Sequence, residues 1–222
     1  MTDTPNKSYQ IIQEALKLDG TVETVKDFYA KWAEDYDADV SDEAYVAPRI
    51  VVKLLTGLAP DEAVGIVPGD PALEIIDAGC GTGLVGIILR EHGYRHIDGF
   101  DLSPEMVEKA AALGLYRELK GDIDLTHPLT AYHNRLYDVA ICCGVFTLGH
   151  APPTALQQLI DLVKPGGLII LSTRTSYYDQ SNYQAVSDAY ERDGRLKLLT
   201  CLKDEPYTDD GTAHYWLYAR GG

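Results

Sequence analysis

A glycine-rich segment behind a short apolar run constrains the fold more than any other part of this sequence. Residues 73–78 (LEIIDA) have the composition of a buried strand, Gly79, Gly81 and Gly83 follow at every second position, and residues 84–90 have a helical pattern. Glycines lack a Cβ atom and let a ligand lie against the backbone, while the first turn of a helix offers free N–H groups. The segment therefore predicts a binding site for a nucleotide-like ligand between a strand and a helix.

Strand and helix candidates alternate along the rest of the chain. Further strands are predicted at residues 96–100, 115–120, 137–143 and 168–172, and then at 195–202 and 214–219. Such alternation indicates a parallel sheet that helices cover on both faces, whereas the polar turn 209–211 between the last two strands suggests an antiparallel hairpin. We predict an α/β fold with a doubly wound seven-stranded sheet, mostly parallel, and the hairpin at its C-terminal edge.

The first 60 residues carry helical patterns only. Apolar side chains recur at helical spacing in residues 8–19, from Thr21 to Tyr36, and in residues 47–58. A length of 222 residues suits one domain. We predict a helical N-terminal cap in residues 1–60 and a core in residues 61–222, which together form a single domain.

The net charge of the chain disfavours some classes of binding partner. The chain has 34 acidic and 19 basic residues, a formal net charge of −15. Nucleic acid and anionic lipid are bound by clustered Lys and Arg, so we expect neither as a partner. The polar N-terminus and the lack of an apolar run of roughly 18 residues predict neither a secretory signal nor a membrane span, and we expect a cytoplasmic protein. Of the 4 cysteines and 6 histidines, only His92 and His96 have a spacing that suggests a metal pair. Gly93 lies between them where the helix should end, so they would not share a helix face, and we expect no metal.

The glycine-rich segment is consistent with two classes of nucleotide ligand. Residues 81–86 (GTGLVG) have the GxGxxG pattern of dinucleotide sites, and Asp101 follows about 20 residues later. This pattern would make the chain a nicotinamide-dependent oxidoreductase. The glycines begin earlier, however, within residues 77–83 (DAGCGTG), and this longer run resembles motif I of the class I S-adenosylmethionine-dependent methyltransferases.

Later segments strengthen this resemblance by their order and spacing. Those similar to the strand ends of such enzymes are residues 99–103 (GFDLS), 120–123 (KGDI), 137–144 (YDVAICCG) and 163–168 (VKPGGL). In the cap, residues 28–37 (FYAKWAEDYD) resemble the YDxWAxxYD segment of many small-molecule methyltransferases, with Ala30 in place of the first Asp. Together with residues 144–150 (GVFTLGH), they most resemble the methyltransferase-like 27 (Williams–Beuren region 27) group.

The resemblance implies a Rossmann-like fold and S-adenosyl-L-methionine as cofactor. By this resemblance, Asp101 would accept both ribose hydroxyls, and Asp122 would take the adenine amine with the Ile123 N–H beside it. The cap would close over the cofactor and exclude water. The positions that match cofactor-binding residues of the family are Tyr29, Trp32, Tyr36, Asp77, Gly79, Cys80, Gly81, Asp101, Leu102, Met106, Asp122, Ile123, Cys143 and Gly144.

The same resemblance implies an acceptor site next to the fourth strand. His150 is the candidate general base, because the pKa of an imidazole suits proton transfer near neutrality. Phe146 and Arg174 would face the acceptor, Arg174 being of interest if the acceptor is a carboxylate. We predict methyl transfer to a small molecule. Two alternatives stay open, a non-catalytic regulatory protein that binds S-adenosylmethionine and the nicotinamide-dependent oxidoreductase.

Overall fold

One seven-stranded sheet organises the part of the chain that the computed structural model describes, residues 6–59, 65–132 and 135–222. Its strands are β1 (Glu74–Ala78), β2 (His96–Phe100), β3 (Glu118–Lys120), β4 (Tyr137–Phe146), β5 (Val163–Arg174), β6 (Leu196–Thr208) and β7 (Gly211–Arg220). They lie in the order β3-β2-β1-β4-β5-β7-β6, and β7 runs antiparallel to both β5 and β6. The predicted fold class, including the edge hairpin, is confirmed.

Nine α-helices accompany the strands in the described residues. They are α1 (Lys7–Ala15), α2 (Val22–Trp32), α3 (Tyr36–Asp42), α4 (Ala47–Thr56), α5 (Leu84–Glu91), α6 (Pro104–Ala112), α7 (Leu156–Leu162), α8 (Thr175–Gln180) and α9 (Tyr183–Arg192). Side-chain caps begin two of them: Thr21 accepts from the Thr24 N–H, and Ser103 accepts from the Met106 N–H.

The sheet is buried on both faces, which explains the nearly continuous apolar runs of its central strands. Ile76 on β1 belongs to an apolar cluster with α7 and α9, whereas its neighbour Ile75 belongs to a second cluster with α4 and α5. Successive side chains of a strand point to opposite faces, so each central strand supplies both clusters. The carboxyl ends of β1, β2 and β4 are left at one edge of the sheet.

Helix α4 covers the sheet and does not belong to the cap with which it was predicted. Val51, Val52 and Leu55 are fully buried in the same cluster as Ile75 of β1. The helices α1 to α3 instead share a separate small cluster that includes Trp32. The predicted boundary between residues 60 and 61 lies outside the described residues.

Other differences from the predicted elements have local causes. The helix predicted from Thr21 to Tyr36 is two helices, since α2 ends at Trp32 and α3 begins at Tyr36. The Trp32 indole N–H donates to Asp39 at 2.8 Å across the turn between them. Strand β5 begins at Val163 rather than at residue 168, because Val163 pairs with Tyr137 at the start of β4. The helices α8 and α9 were not predicted.

A buried carboxylate holds the outer strands together. Asp98 on β2 is fully buried and accepts from Arg117 Nε and Nη2 at 2.8 and 2.9 Å. It also accepts from the Tyr137 hydroxyl at 2.9 Å and lies 3.0 Å from Arg135 Nη1. These contacts join β2 to β4 and to the segments that flank β3.

We expect Asp98→Asn to destabilise the fold, because the substitution removes the charge that compensates two guanidinium groups. The expected loss is about 3 kcal/mol in the free energy of unfolding, measured by urea denaturation. Glu108→Gln, on the exposed face of α6, is the control and should change stability by less than about 0.5 kcal/mol. Equal stability of the two variants would show that the Asp98 cluster does not support the sheet.

Candidate active site

A cleft of about 890 Å³, partly open to solvent, lies at the carboxyl ends of β1, β2 and β4 and is covered by α2. Ligands of open α/β sheets bind at this edge. Most of the predicted site residues line this main cleft, namely Tyr29, Tyr36, Gly79, Gly81, Asp101, Leu102, Met106, Ile123, Cys143, Gly144 and His150.

The glycine loop after β1 adopts a conformation that favours glycine. Gly79, Gly81 and Gly83 have φ angles of +74°, +53° and +98°. A Cβ atom at Gly79 would overlap the Val145 side chain, whereas one at Gly81 would meet nothing within 4 Å. Gly81 therefore offers its bare backbone to the main cleft. Cys80 is buried within the loop and does not line the cleft.

Asp101, at the end of β2, is tied to this loop. Its Oδ2 accepts from the Gly81 N–H at 2.8 Å, and its Oδ1 accepts from the Ser103 N–H at 2.9 Å. Burial raises the pKa of Asp101, and the two backbone donors oppose that shift. Each carboxylate oxygen has a second lone pair, so the group can accept two further hydrogen bonds from a ligand.

Asp77, in β1 beneath the loop, has one carboxylate oxygen without a partner. Oδ2 accepts from the Tyr116 hydroxyl at 2.6 Å, but the buried Oδ1 makes no hydrogen bond within the described residues. Burial, together with the nearby charge of Asp101, raises the pKa of Asp77 to about 7. Asp77 is 1% exposed and does not line the main cleft. A cationic group beside it would compensate the orphaned oxygen.

Of the two acidic residues after β3, only Asp124 lines the main cleft. Asp122, the predicted partner of an adenine amine, is exposed, lies outside the cleft lining, and forms an ion pair with Lys26 of α2. Its φ angle of +57° places it in the left-handed region. Asp124, two residues later, lines the cleft beside Ile123. The adenine contact of Asp122 stays a prediction.

The cap contributes Tyr29 and Tyr36 to the main cleft, but not Trp32. The Trp32 side chain is 4% exposed, packs edge-on against Tyr36 with ring centroids 4.8 Å apart, and donates to Asp39. Trp32 therefore forms the centre of the cap and lines only a second cavity.

His150 is held in one orientation and one tautomer. Its Nδ1 lies 2.9 Å from the Leu148 carbonyl oxygen, which only accepts, so Nδ1 carries the proton. Its Nε2 lies 2.8 Å from the Tyr29 hydroxyl and accepts from it. Burial lowers the pKa of His150, so the ring is neutral at pH 7.

The second cavity, about 440 Å³ including space open to solvent, adjoins the main cleft. The two cavities share Tyr29, Tyr36, Gly144 and His150. Arg174, the predicted acceptor contact at the end of β5, lines the second cavity. Phe146 lines neither cavity: it is 1% exposed and packs against Tyr177 and Tyr183, because its position on β4 directs it into the core. Phe146 therefore lies in the core, and its contact with the acceptor stays a prediction.

Several residues that line the two cavities were not predicted from the sequence. Tyr45 and Tyr207 lie 162 residues apart, yet their hydroxyls form a hydrogen bond of 3.4 Å in the wall of the second cavity. Thr147 lines the same cavity. Lys26 and Asp124 line the main cleft. Of the two, only Asp124 could have been found from the sequence, because it belongs to the GDID segment at residues 121–124.

The site fits S-adenosylmethionine on the chain's own groups. The open glycine backbone admits a nucleoside, the Asp101 carboxylate suits its hydroxyls, and the orphaned Asp77 oxygen suits a cation. The fold agrees: magnesium protoporphyrin IX methyltransferase (ChlM) from Synechocystis PCC 6803, solved with bound SAM, superposes with a TM-score of 0.58 at 19% identity, over 99% of this chain and 100% of that one. The protein has the Rossmann-like fold of the class I methyltransferases.

Sequence relatives identify the family. The methyltransferase-domain family matches residues 42–218. Human methyltransferase-like protein 27 is 36% identical over 190 residues, 86% of this chain and 74% of that protein. Malonyl-[acyl-carrier protein] O-methyltransferase of Serratia marcescens is 28% identical over 193 residues, 86% of this chain and 66% of that enzyme. The chain belongs to the class I methyltransferase family and is an S-adenosylmethionine-dependent methyltransferase, which sets aside the nicotinamide and non-catalytic alternatives.

Two further features of the described residues bear on function. No helix among them is long and apolar enough to span a bilayer. Within the same residues, no group of three or more His, Cys, Asp or Glu side chains is arranged to hold a metal ion.

The unpartnered carboxylate oxygen of Asp77 predicts that the free energy of unfolding falls as the pH rises. Because its pKa is about 7 in the folded protein and 3.8 for an unperturbed aspartate, its contribution to stability is greatest below about pH 4 and is lost as the pH rises to about 7. We expect Asp77→Asn to remove this loss. Its stability relative to the wild type should rise by about 3 kcal/mol between pH 5 and pH 8, measured by urea denaturation of the ligand-free protein.

The exposed Asp193→Asn is the control, and its difference from the wild type should stay constant with pH. A constant difference for Asp77→Asn as well would contradict the raised pKa of Asp77.

Proposed function

We propose that the enzyme methylates a small molecule, with the cofactor in the main cleft and the acceptor in the second cavity. The observation that carries this proposal is the contact between the two cavities at Tyr29, Tyr36, Gly144 and His150. Since the second cavity lies under the cap and is lined mostly by apolar and aromatic side chains, it suits a compact molecule better than a polymer. The net charge of −15 also disfavours a nucleic acid acceptor.

The nucleoside half of the cofactor would be held by the ends of β2 and β3. Asp101 would accept both ribose hydroxyls, because its carboxylate faces the cleft and keeps two lone pairs. Leu102, Met106 and Ile123 would pack against the adenine. Asp124 replaces Asp122 as our candidate for the exocyclic amine, because only Asp124 lines the cleft.

The methionine half would lie at the glycine loop and the end of β4. Asp77 would compensate the ammonium group, directly or through the loop that covers it. Gly79, Cys143 and Gly144 would lie along the methionyl chain. Burial raises the pKa of Cys143 to about 12, so its thiol is protonated at neutral pH and acts as an apolar wall.

The main task of the chain is to position the acceptor and to exclude water. When bound, the cofactor supplies an electrophilic methyl group on a sulfonium. The cap covers the cleft with Tyr29 and Tyr36, and His150 fixes the Tyr29 hydroxyl. An acceptor with an ionisable proton would pass that proton through Tyr29 to His150 Nε2, whereas an anionic acceptor needs no such transfer. The Serratia marcescens relative is an O-methyltransferase by name, which supports an oxygen atom as the site of methylation.

Calorimetric titration with S-adenosylhomocysteine tests the cofactor site. Asp101→Ala should lose two charge-assisted hydrogen bonds and bind about a hundredfold more weakly than the wild type. Asp124→Ala should lose about tenfold, and Asp122→Ala should bind within about twofold of the wild type, because Asp122 is exposed and paired with Lys26.

Urea denaturation of each variant separates binding from folding, because Asp101 also supports the loop. Wild-type affinity in a folded Asp101→Ala protein would contradict the assignment of the main cleft. A stronger effect of Asp122→Ala than of Asp124→Ala would return the adenine contact to Asp122.

A further inference from the structure

Arg174 is a buried cation without an anion. Its residue is 8% exposed, and it lines the second cavity. The guanidinium carbon lies 4.8 Å from the centre of the Tyr207 ring. Across residues 6–59, 65–132 and 135–222, no hydrogen bond or ion pair to the guanidinium is formed. A buried charge in this state is costly, and buried arginines are ordinarily paired with carboxylates or phosphates.

A second polar group in the same cavity also lacks a partner. The Thr147 residue is 5% exposed, and its Oγ1 is buried with no hydrogen bond among the described residues. Thr147 follows β4, whereas Arg174 ends the neighbouring strand β5, so the two lie at the same edge of the sheet. A guanidinium and a hydroxyl are both donors, and together they match the two oxygens of one carboxylate.

The rest of the second cavity has no competing charge. Arg174 is the one charged side chain among its described lining residues, because burial lowers the pKa of His150. The opposite wall is apolar, with Ile12 and Leu16 of the cap beside Trp32. The cavity therefore suits a molecule with one anionic end and an apolar or aromatic body.

We propose that the methyl acceptor is a carboxylate with an apolar body, bound by Arg174 and Thr147, and that the product is its methyl ester. This inference rests on the proposed function and names the substrate class of the same site. The carboxylate would neutralise Arg174, accept from Thr147 Oγ1, and reach the junction of the two cavities beside Gly144.

The reaction balances without a base. One carboxylate oxygen forms a bond to the methyl carbon as the bond from that carbon to the sulfonium sulfur breaks, and the electron pair of the broken bond stays on sulfur. The carboxylate loses its negative charge, the sulfonium loses its positive charge, and no proton moves. His150 is then a positioning residue that holds the Tyr29 hydroxyl.

Binding to the protein saturated with S-adenosylhomocysteine tests the proposal. The probes are aryl and alkyl monocarboxylates of graded length, including 3-phenylpropionate and hexanoate, each titrated beside its primary amide and its phosphonate. The variants are Arg174→Gln, Arg174→Lys and Thr147→Val, with the exposed Arg192→Gln on α9 as the matched control.

At least one carboxylate should bind tenfold or more tightly than its amide. Arg174→Gln should weaken that carboxylate by about a hundredfold, Arg174→Lys and Thr147→Val by about tenfold, and Arg192→Gln should leave it unchanged. Because removing an unpaired buried charge relieves a cost, Arg174→Gln should keep or raise the melting temperature of the free protein. If Arg174 had only a structural role, Arg174→Gln would lower the melting temperature instead.

Turnover with methyl-labelled S-adenosylmethionine identifies the product. A methyl ester releases labelled methanol in alkali, whereas an ether or a methylamine does not. The pH profile of kcat between pH 6 and pH 8 should have the same shape in His150→Gln as in the wild type, because no proton is taken from the acceptor.

Three results would overturn the carboxylate assignment: equal binding of acid and amide, tighter binding of the phosphonate, or no binding of any carboxylate in the panel. An alkali-stable product would also overturn it. Each variant is titrated with S-adenosylhomocysteine as well, because loss of that binding would contradict the proposed cofactor site rather than the acceptor class.

Discussion

The hydrogen bond from the Gly81 N–H to the Asp101 carboxylate joins the two strand ends on which the site depends. The same carboxylate accepts from the Ser103 N–H, and the Phe100 carbonyl oxygen accepts from the N–H groups of Gly79 and Cys80, both at 2.9 Å. These bonds hold the loop after β1 in a left-handed conformation that fits glycine. The backbone of the loop and the charge beside it are therefore in place before a ligand arrives.

The cap is attached to this frame by both apolar and polar contacts. Leu84 of α5 packs against the cluster around Trp32, and Tyr45 packs against that cluster and against one cluster of the sheet. Lys26 pairs with Asp122, and Glu34 pairs with Lys109 of α6 at 2.7 Å. These exposed ion pairs are individually weak. A covering element of this kind admits ligands and then excludes water from the reaction.

The sequence predicted the parts of the site that lie on local motifs. The glycine loop and Asp101 follow strands directly, so their place at the carboxyl edge was predictable from the order of elements. Phe146 was predicted to face the acceptor, whereas β4 extends to this residue and its side chain is buried in the core. Tyr45 and Tyr207 meet only through the fold, and the unpaired state of Arg174 depends on what surrounds it. Neither the Tyr45–Tyr207 contact nor the unpaired state of Arg174 can be predicted from the spacing of residues along the chain.

Amide hydrogen exchange with and without S-adenosylhomocysteine tests most directly whether the cap and the strand ends form one site. We predict slower exchange in residues 79–83, in residues 101–106 and throughout α2, with no change in α9, which packs on β6 away from the main cleft. Protection of the glycine loop and Asp101 without α2 would contradict the account, because the cofactor would then bind to the sheet alone and the cap would not cover the reaction.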